Sequence, residues 1–273
     1  MGFLDNGLGE LNYRPSREGG FTMIELIIVI VLMSIISLAG VEIISFTVQA
    51  YEKMSGRQTL GHSARVATDR ISRELRSALP NSARVSGSCL EYIPINAAGS
   101  YIDLPVEVSA VTFQAIPFNA GQESSSGRVA VYPVGTSVYN LGSNTLSGSA
   151  TLTGPDVNNE IQVTMSASHR FPNHSPTSRF FLVGDPVSFC LDGENLFRYE
   201  NYGFSTPQPG VGSLPGSLPE RALLAQNLSF SVTPFAVIAQ SLQRNAIVAM
   251  DLIFTEDGET VRIAHEVQLR NVQ

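Results

Sequence analysis

Basic residues are scarce in this sequence, and their scarcity limits the partners it can bind. Lys53 is the only lysine, and the formal net charge of the 273-residue chain is −7. A nucleic-acid groove needs a cluster of lysine and arginine to neutralise phosphates, and no basic run appears here. We therefore expect no nucleic-acid partner.

The sequence also lacks the residue patterns that carry catalysis or hold a metal. Its four histidines are His62, His169, His174 and His265. None of them has another histidine or a cysteine at zinc-ligand spacing. There is no nucleophile elbow, phosphate-binding loop or redox cysteine pair. We expect no enzyme activity, no metal site and no cofactor.

Two acidic segments, Asp192–Asn195 and Glu256–Glu259, carry side-chain oxygens of the kind that bind calcium. Neither segment matches the twelve-residue loop of an EF-hand. Both contain an Asp-Gly pair between alternating apolar residues, which is typical of a tight hairpin turn. The hairpin interpretation is the simpler one, and calcium binding stays open as the alternative.

A long apolar run begins abruptly at Phe21, after Gly19 and Gly20, and continues to about Phe46. A bilayer core needs about 20 apolar residues of helix, so the run predicts a membrane span. Glu25 lies near the start of this span. An isolated carboxylate at membrane depth costs roughly 2.5–3.5 kcal/mol, which marks Glu25 as a functional residue with a partner.

Two simpler interpretations of the run have to be weighed. Ser37-Leu38-Ala39 resembles a signal-peptide cleavage site, but the apolar run continues beyond it. A plain membrane anchor explains the length of the run but not the carboxylate of Glu25. Arg14 and Arg17 precede the span, which favours a cytoplasmic N-terminus.

The stretch Gly20-Phe21-Thr22-Met23-Ile24-Glu25-Leu26 closely resembles the signature of type IV prepilins and pseudopilins. The resemblance implies that a prepilin peptidase cuts between Gly20 and Phe21 and that Phe21 is then N-methylated. The new amine of Phe21 would be a cation that neutralises Glu25 of a neighbouring subunit. The implied partners are other major and minor pilins or pseudopilins, an inner-membrane assembly platform and membrane lipid.

A helical pattern continues beyond the span. Apolar residues recur at spacings of mostly three or four, at Leu60, Ala64, Ala67, Ile71, Leu75, Ala78 and Leu79. They share one helical face, and Pro80 ends the helix. The rest of the chain alternates short apolar runs with turns, including hairpins around Gly193 and Gly258. We expect an α+β protein in which a long N-terminal helix packs on an antiparallel sheet.

Three segments of the β-rich region are predicted to be surface loops because of their composition. Asn119–Gly127 is polar with three serines, Asn140–Asn159 is rich in serine, threonine and glycine, and Gly203–Pro219 contains four prolines and several glycines. Loops carry specificity more often than strands do, so these segments are candidate partner contacts; the alternative is that they are merely tolerated insertions.

Cys89 and Cys190 are the only cysteines, and both follow the span on its outward side. An oxidising compartment favours a disulfide between them, which would contribute about 4–5 kcal/mol in the chain-entropy model. Two free buried thiols are the alternative.

These observations predict four regions: a cleaved leader (1–20), a transmembrane half-helix (21–46), a periplasmic half-helix (47–80) and a β-rich domain (81–273). The later part of the chain resembles the larger minor pilins, including those of mannose-sensitive haemagglutinin pili, W-type minor pilins and J-type minor pseudopilins. The resemblance implies an inner-membrane precursor with a periplasmic domain, which enters a filament and helps to start it or lies near its tip. The alternative function is a membrane-anchored adhesin or ligand-binding ectodomain that does not polymerise.

Overall fold

The structure, a computed structural model, describes residues 19–118, 125–229, 233–239 and 245–269. These residues form one long α-helix followed by fourteen β-strands, and every strand pairing is antiparallel, which confirms the predicted α+β class. The elements are α1 (Met23–Arg76), β1 (Arg84–Ser86), β2 (Cys89–Tyr92), β3 (Ile95–Tyr101), β4 (Ala110–Pro117), β5 (Ser126–Ala130), β6 (Leu146–Thr153), β7 (Ile161–His169), β8 (Arg179–Val183), β9 (Val187–Asp192), β10 (Asn195–Tyr199), β11 (Arg221–Ala225), β12 (Phe235–Ile238), β13 (Ile247–Glu256) and β14 (Glu259–Gln268).

The chain divides into two compact units, Met1–Lys53 and Met54–Gln273. The first unit contains the apolar half of α1. Among the described residues, α1 is the one helix whose length and composition suit a membrane crossing, and its most apolar window is not covered by the rest of the chain. The uncovered apolar side chains therefore need lipid or another helix around them.

In the second unit, the remainder of α1 contributes one face to a hydrophobic core. The predicted apolar stripe is confirmed on the helix itself, where Leu60, Ala64, Ala67, Ile71 and Leu75 are all buried. They share this core with residues from two sheets, among them Phe189 of β9 and Phe254 of β13. The spacing of three or four residues thus produced one continuous buried face.

The helix ends at Arg76, earlier than the prediction that placed its end at Leu79. Leu79 is buried as expected, but it lies in an extended segment and its N–H donates to the carbonyl of Ile93 (2.8 Å). Pro80 disfavours the helical conformation for the residue before it. Pairing with the Ile93 segment satisfies the Leu79 N–H that the helix would otherwise have used.

Two of the three sheets pack on α1. One has the strand order β1-β2-β9-β10-β11, and the other has the order β12-β13-β14. Both predicted hairpins are present: β9 pairs with β10 so that Asp192 lies opposite Asn195, and β13 pairs with β14 so that Glu256 lies opposite Glu259. The first turn therefore consists of Gly193 and its successor rather than of the Asp-Gly pair.

The third sheet is a closed six-stranded barrel with the order β3-β4-β7-β6-β5-β8. It has a core of its own, in which the Phe113 ring makes edge-to-face contacts with Phe180 (5.5 Å between centroids) and Phe171 (6.4 Å). Closure of the barrel leaves none of its six strands as a free edge.

One predicted loop is wrong, because Asn140–Asn159 contains the barrel strand β6. Leu146, Ala150 and Leu152 of this strand are buried, while serine, threonine and glycine fill the positions between them. The small polar residues concealed the alternation from the sequence analysis. The predicted loop Gly203–Pro219 holds no strand and contains one short 3-10 turn at Val211–Ser213. Most of the predicted loop Asn119–Gly127 lies outside the described residues, and its last two residues belong instead to β5, which begins at Ser126.

Candidate functional site

The start of α1 is fixed by a cap on its first turn. The N–H of Glu25 donates to the hydroxyl of Thr22 (3.3 Å), and the N–H of Leu26 donates to the carbonyl of Thr22 (3.2 Å). Thr22 is therefore the N-cap residue, and Glu25 occupies the third helical position. The spacing Thr-x-x-Glu is that of a capping box, so the sequence already carries a signal for this cap.

Glu25 is exposed, and its carboxylate has no ion-pair partner within the described part of the chain. A negative charge in the first turn stabilises a helix by about 0.3–1 kcal/mol. An isolated charge at membrane depth costs roughly 2.5–3.5 kcal/mol, so the helix end alone does not offset it. A membrane-embedded Glu25 therefore still needs a cation from outside its own helix.

Gly19 and Gly20 precede the capped turn. A Cβ atom added to either glycine would meet no atom within 4 Å, and neither has the positive φ that favours glycine. The fold of this chain therefore gives no steric reason for glycine at Gly20. A requirement for glycine there would have to come from a molecule that binds this segment.

The apolar half of α1 exposes large side chains over its whole length. Ile27, Ile28, Ile36 and Ile44 are all more than half exposed, at 57%, 52%, 65% and 65%. Because they point in every direction around the helix, no single stripe distinguishes a core-facing side. This half of α1 is suited to be surrounded by apolar groups.

Further along α1, Glu74 connects the helix to the sheet beside it. Its carboxylate accepts hydrogen bonds from the Tyr92 hydroxyl (2.5 Å), from Nε of Arg198 (2.9 Å) and from Nε of Arg70. Arg198 also donates to Glu200 (2.6 Å). Arg70 and Glu74 are four residues apart on the helix and form an ion pair there. The longer-range partners Tyr92 and Arg198 had no sequence signal.

The Glu74 cluster shifts the pKa values of its members. Burial by itself would raise the pKa of the Glu74 carboxyl, but the hydrogen bonds from Tyr92, Arg198 and Arg70 outweigh burial and lower the pKa below its ordinary value. Burial and the neighbouring carboxylate both raise the pKa of Tyr92. Glu74 is therefore ionised and Tyr92 neutral at physiological pH, which is the combination that holds the helix on the sheet.

A second buried carboxylate, Glu91, ties a loop to the same sheet. It is fully buried, and it accepts hydrogen bonds from Nε of Arg84 (2.5 Å) and from the Tyr202 hydroxyl (2.9 Å). Arg84 also donates to the carbonyls of Ser205 (2.8 Å) and Thr206 (2.7 Å). Burial raises the pKa of Glu91 despite these partners. Arg84 lies directly opposite Glu91 on β1 and β2, so recognising that hairpin in the sequence would have revealed the pair.

The structure joins Cys89 and Cys190 in a disulfide bond. The two residues lie directly opposite each other on the adjacent strands β2 and β9, and both are buried. The amide of Gln208 donates to the carbonyl of Cys89 (3.0 Å), so the proline-rich loop covers this part of the sheet. The alternative of two free thiols does not hold in this structure.

Within the described ranges there is no group of three or more histidine, cysteine, aspartate and glutamate side chains that could hold a metal ion. The two acidic segments considered above for calcium are hairpin turns.

Comparison with known proteins gave one match. Residues 15–41 match the family described as "Prokaryotic N-terminal methylation motif". No curated protein and no solved structure matches the chain. The matched motif supports a type IV pilin-like protein that prepilin peptidase processes and that associates with other pilins. It also indicates a structural subunit rather than an enzyme, anchored by the apolar helix.

Proposed function

We propose that the chain is a minor pilin or pseudopilin, made as an inner-membrane precursor with a periplasmic C-terminal domain. Prepilin peptidase cuts it between Gly20 and Phe21, Phe21 is N-methylated, and the mature subunit enters a type IV pilus-like filament by helix packing. The matched motif and the uncovered apolar half of α1 support this proposal. Cys89–Cys190 fits an oxidising compartment such as the periplasm.

The observation that carries the proposal is the unpaired carboxylate of Glu25 at the start of the apolar helix. Cleavage before Phe21 creates an ammonium group close to that carboxylate along the chain. When helices pack side by side, the ammonium of one subunit neutralises Glu25 of its neighbour, and each charge loses the penalty of being alone in lipid. This pairing would also fix the axial register between neighbouring helices.

The connections of α1 to the sheets fit a subunit that is held in a filament through its helix. A load applied to the helix is shared between the covalent chain after Arg76, the buried stripe from Leu60 to Leu75 and the bonds of Glu74. Several simultaneous contacts of this kind resist separation better than a flexible tether does.

Size and composition support a finer assignment within this proposal. The barrel and the loop Gly203–Pro219 enlarge the domain beyond the two sheets that contact α1. We therefore place the chain among the larger minor pilins, such as those of mannose-sensitive haemagglutinin pili, as a low-copy subunit that helps to initiate assembly or lies near the tip. Its partners are other pilins or pseudopilins, the inner-membrane assembly platform and membrane lipid.

The test compares Glu25→Gln with Glu42→Gln, because both replace a carboxylate on the exposed surface of the same helix. Glu25→Gln leaves the ammonium of a neighbouring Phe21 unpaired at membrane depth, at a cost of a few kcal/mol. Since about 1.4 kcal/mol is a factor of ten, incorporation into sheared filaments should fall by at least about tenfold.

In the same experiment, immunoblots should show normal cleavage of both variants, and Glu42→Gln should be incorporated like the wild type. Normal incorporation of Glu25→Gln would contradict the pairing mechanism. It would favour a membrane-anchored adhesin that uses the helix only as an anchor.

A further inference from the structure

The strand β14 presents a long free edge. It is ten residues long, it pairs only with β13 within the described part of the chain, and its register runs without a shift from Glu259 to Gln268. The outer strands of the five-stranded sheet are different, because β1 has three residues and β11 has five with a register shift. Free edges are usually protected by shortness, a bulge, proline or charged side chains. Of these protections β14 has the charged side chains alone, at Glu259, Arg262 and Glu266.

The geometry of the β13–β14 hairpin decides which backbone groups face the free edge. The turn consists of Asp257 and Gly258, both with positive φ (48° and 82°), and Glu256 lies opposite Glu259. In such a two-residue turn the closing pair is hydrogen-bonded, and bonded pairs then alternate along the ladder. The odd-numbered residues of β14 therefore bond to β13. The even-numbered residues, from Thr260 to Gln268, direct their N–H and C=O groups to the open edge.

We infer that this edge binds the same edge of a second copy of the chain, antiparallel and centred on Ala264. In this register Ala264 faces Ala264 of the second copy, Arg262 faces Glu266 of the second copy, and Thr260 faces Gln268 of the second copy. All of these positions are even-numbered, so each pair exchanges two backbone hydrogen bonds. The contact is isologous, because each copy uses the same surface.

Charge complementarity selects this register. Arg262 and Glu266 are exposed on the same face of β14, and centring on Ala264 places opposite charges together twice across the two-fold axis. Centring on Arg262 or on Glu266 would instead oppose two like charges, which is unfavourable across strands. Glu266 has no ion-pair partner among the described residues, whereas Arg262 is bonded to Asp251 on β13 (2.8 and 2.6 Å). The second copy would supply the missing cation for Glu266.

The proposed pairing would also bury more of the inner face of β14. Val261 and Ile263 are only partly buried, although they pack against the core beneath the sheet. In the proposed register they lie opposite Val267 and His265 of the second copy. An added strand therefore covers apolar surface at the same time as it satisfies the free backbone groups.

This inference does not depend on the filament proposal. Successive subunits of a polar filament are related head to tail, whereas an isologous pair closes on itself. The β14 pair therefore belongs to chains that have not entered a filament.

Cysteine cross-linking of the full chain in detergent micelles tests the register. Ala264→Cys should give a covalent dimer with a short bis-maleimide, because the two introduced thiols face each other. Thr260→Cys is the matched control: residues 260 of the two copies are offset by eight residues, roughly 27 Å apart, so it should not cross-link alone. A mixture of Thr260→Cys and Gln268→Cys chains should cross-link. The native cysteines form a buried disulfide and do not react.

Equal cross-linking of Ala264→Cys and Thr260→Cys, or none with Ala264→Cys, would overturn the inference. A second measurement avoids introduced thiols: native mass spectrometry should detect a dimer of the wild type and its loss in Ala264→Pro and Glu266→Arg. Proline at 264 removes an edge-facing N–H and no bond to β13, so the fold is kept. The intact native disulfide serves as the folding control. A monomeric wild type, or a dimer that persists in both variants, would also refute the proposed edge.

Discussion

Replacing Glu74 with glutamine should weaken the attachment of α1 to the sheet by a measurable amount. The carboxylate accepts hydrogen bonds from Tyr92, Arg198 and Arg70, and its side chain is 17% exposed. Removing one partner of a fully buried ion pair costs about 3–5 kcal/mol, while an exposed pair contributes about 1 kcal/mol or less. Because glutamine keeps one acceptor oxygen, we expect a loss of about 2 kcal/mol.

The loss should depend on pH in a defined direction. The pKa of Glu74 is lowered in the folded state, so its contribution is present above its ordinary value of 4.5 and is lost as the pH falls through the lower folded value. The difference in stability between wild type and Glu74→Gln should therefore be largest near pH 7 and shrink towards pH 3. Other titrating groups lower the stability of both proteins over this pH range. The quantity to follow is therefore the difference between their free energies of unfolding.

Urea unfolding in detergent micelles measures this difference. The chain has no tryptophan, so the fluorescence of its eight tyrosines, most of which lie in the β-rich domain, follows unfolding without a tryptophan signal. Glu194→Gln is the matched control, since Glu194 is exposed and has no ion-pair partner among the described residues; its effect should stay within about 0.5 kcal/mol. Equal losses for the two variants, or a gap that does not change with pH, would refute the reasoning.

One further prediction concerns the barrel, and two concern the disulfide. Gly99→Ala should destabilise the chain by about 1–3 kcal/mol, because its Cβ would lie 2.6 Å from the carbonyl oxygen of Ile116, whereas Gly210→Ala meets no atom within 4 Å and should be neutral; urea unfolding compares the two. Cys89→Ser should cost about 4–5 kcal/mol, since the disulfide closes a loop with a sequence separation of 101. In the wild type, dithiothreitol should reduce Cys89–Cys190 only when urea is added, because both cysteines are buried; gel mobility shows this. Equal stability of the two glycine variants, or rapid reduction without urea, would contradict these expectations.

The sequence was informative where a periodic pattern coincided with a single element. The buried stripe from Leu60 to Leu75 repeats at helical spacing, and the turns near Gly193 and Gly258 separate strands that pair as neighbours. These features are local, so composition and spacing were enough to predict them.

The barrel and the polar clusters could not be predicted in the same way. Strand β6 alternates small polar residues with Leu146, Ala150 and Leu152, and only closure of the barrel buries its apolar side. Glu74 accepts a hydrogen bond from Arg198, which is 124 positions away in the sequence. No local sequence pattern predicts a contact between residues so far apart. Long-range pairing of this kind depends on the topology of the sheets.

The candidate site was predicted in part. Glu25 was singled out from its isolated carboxylate, and Gly20 and Phe21 were predicted from the resemblance of this stretch to the prepilin signature; all three lie within the matched residues 15–41. The cap that Thr22 provides to Glu25 was overlooked, although the Thr-x-x-Glu spacing was visible.

We propose that this chain becomes a filament subunit by cleavage before Phe21, and the mass of the mature protein shows whether that cleavage occurs. Intact-mass spectrometry of the chain purified from membranes should show an N-terminus at Phe21 that carries one methyl group. A chain that still begins with Met1, or one that begins after Ala39 as a secreted protein would, contradicts the account.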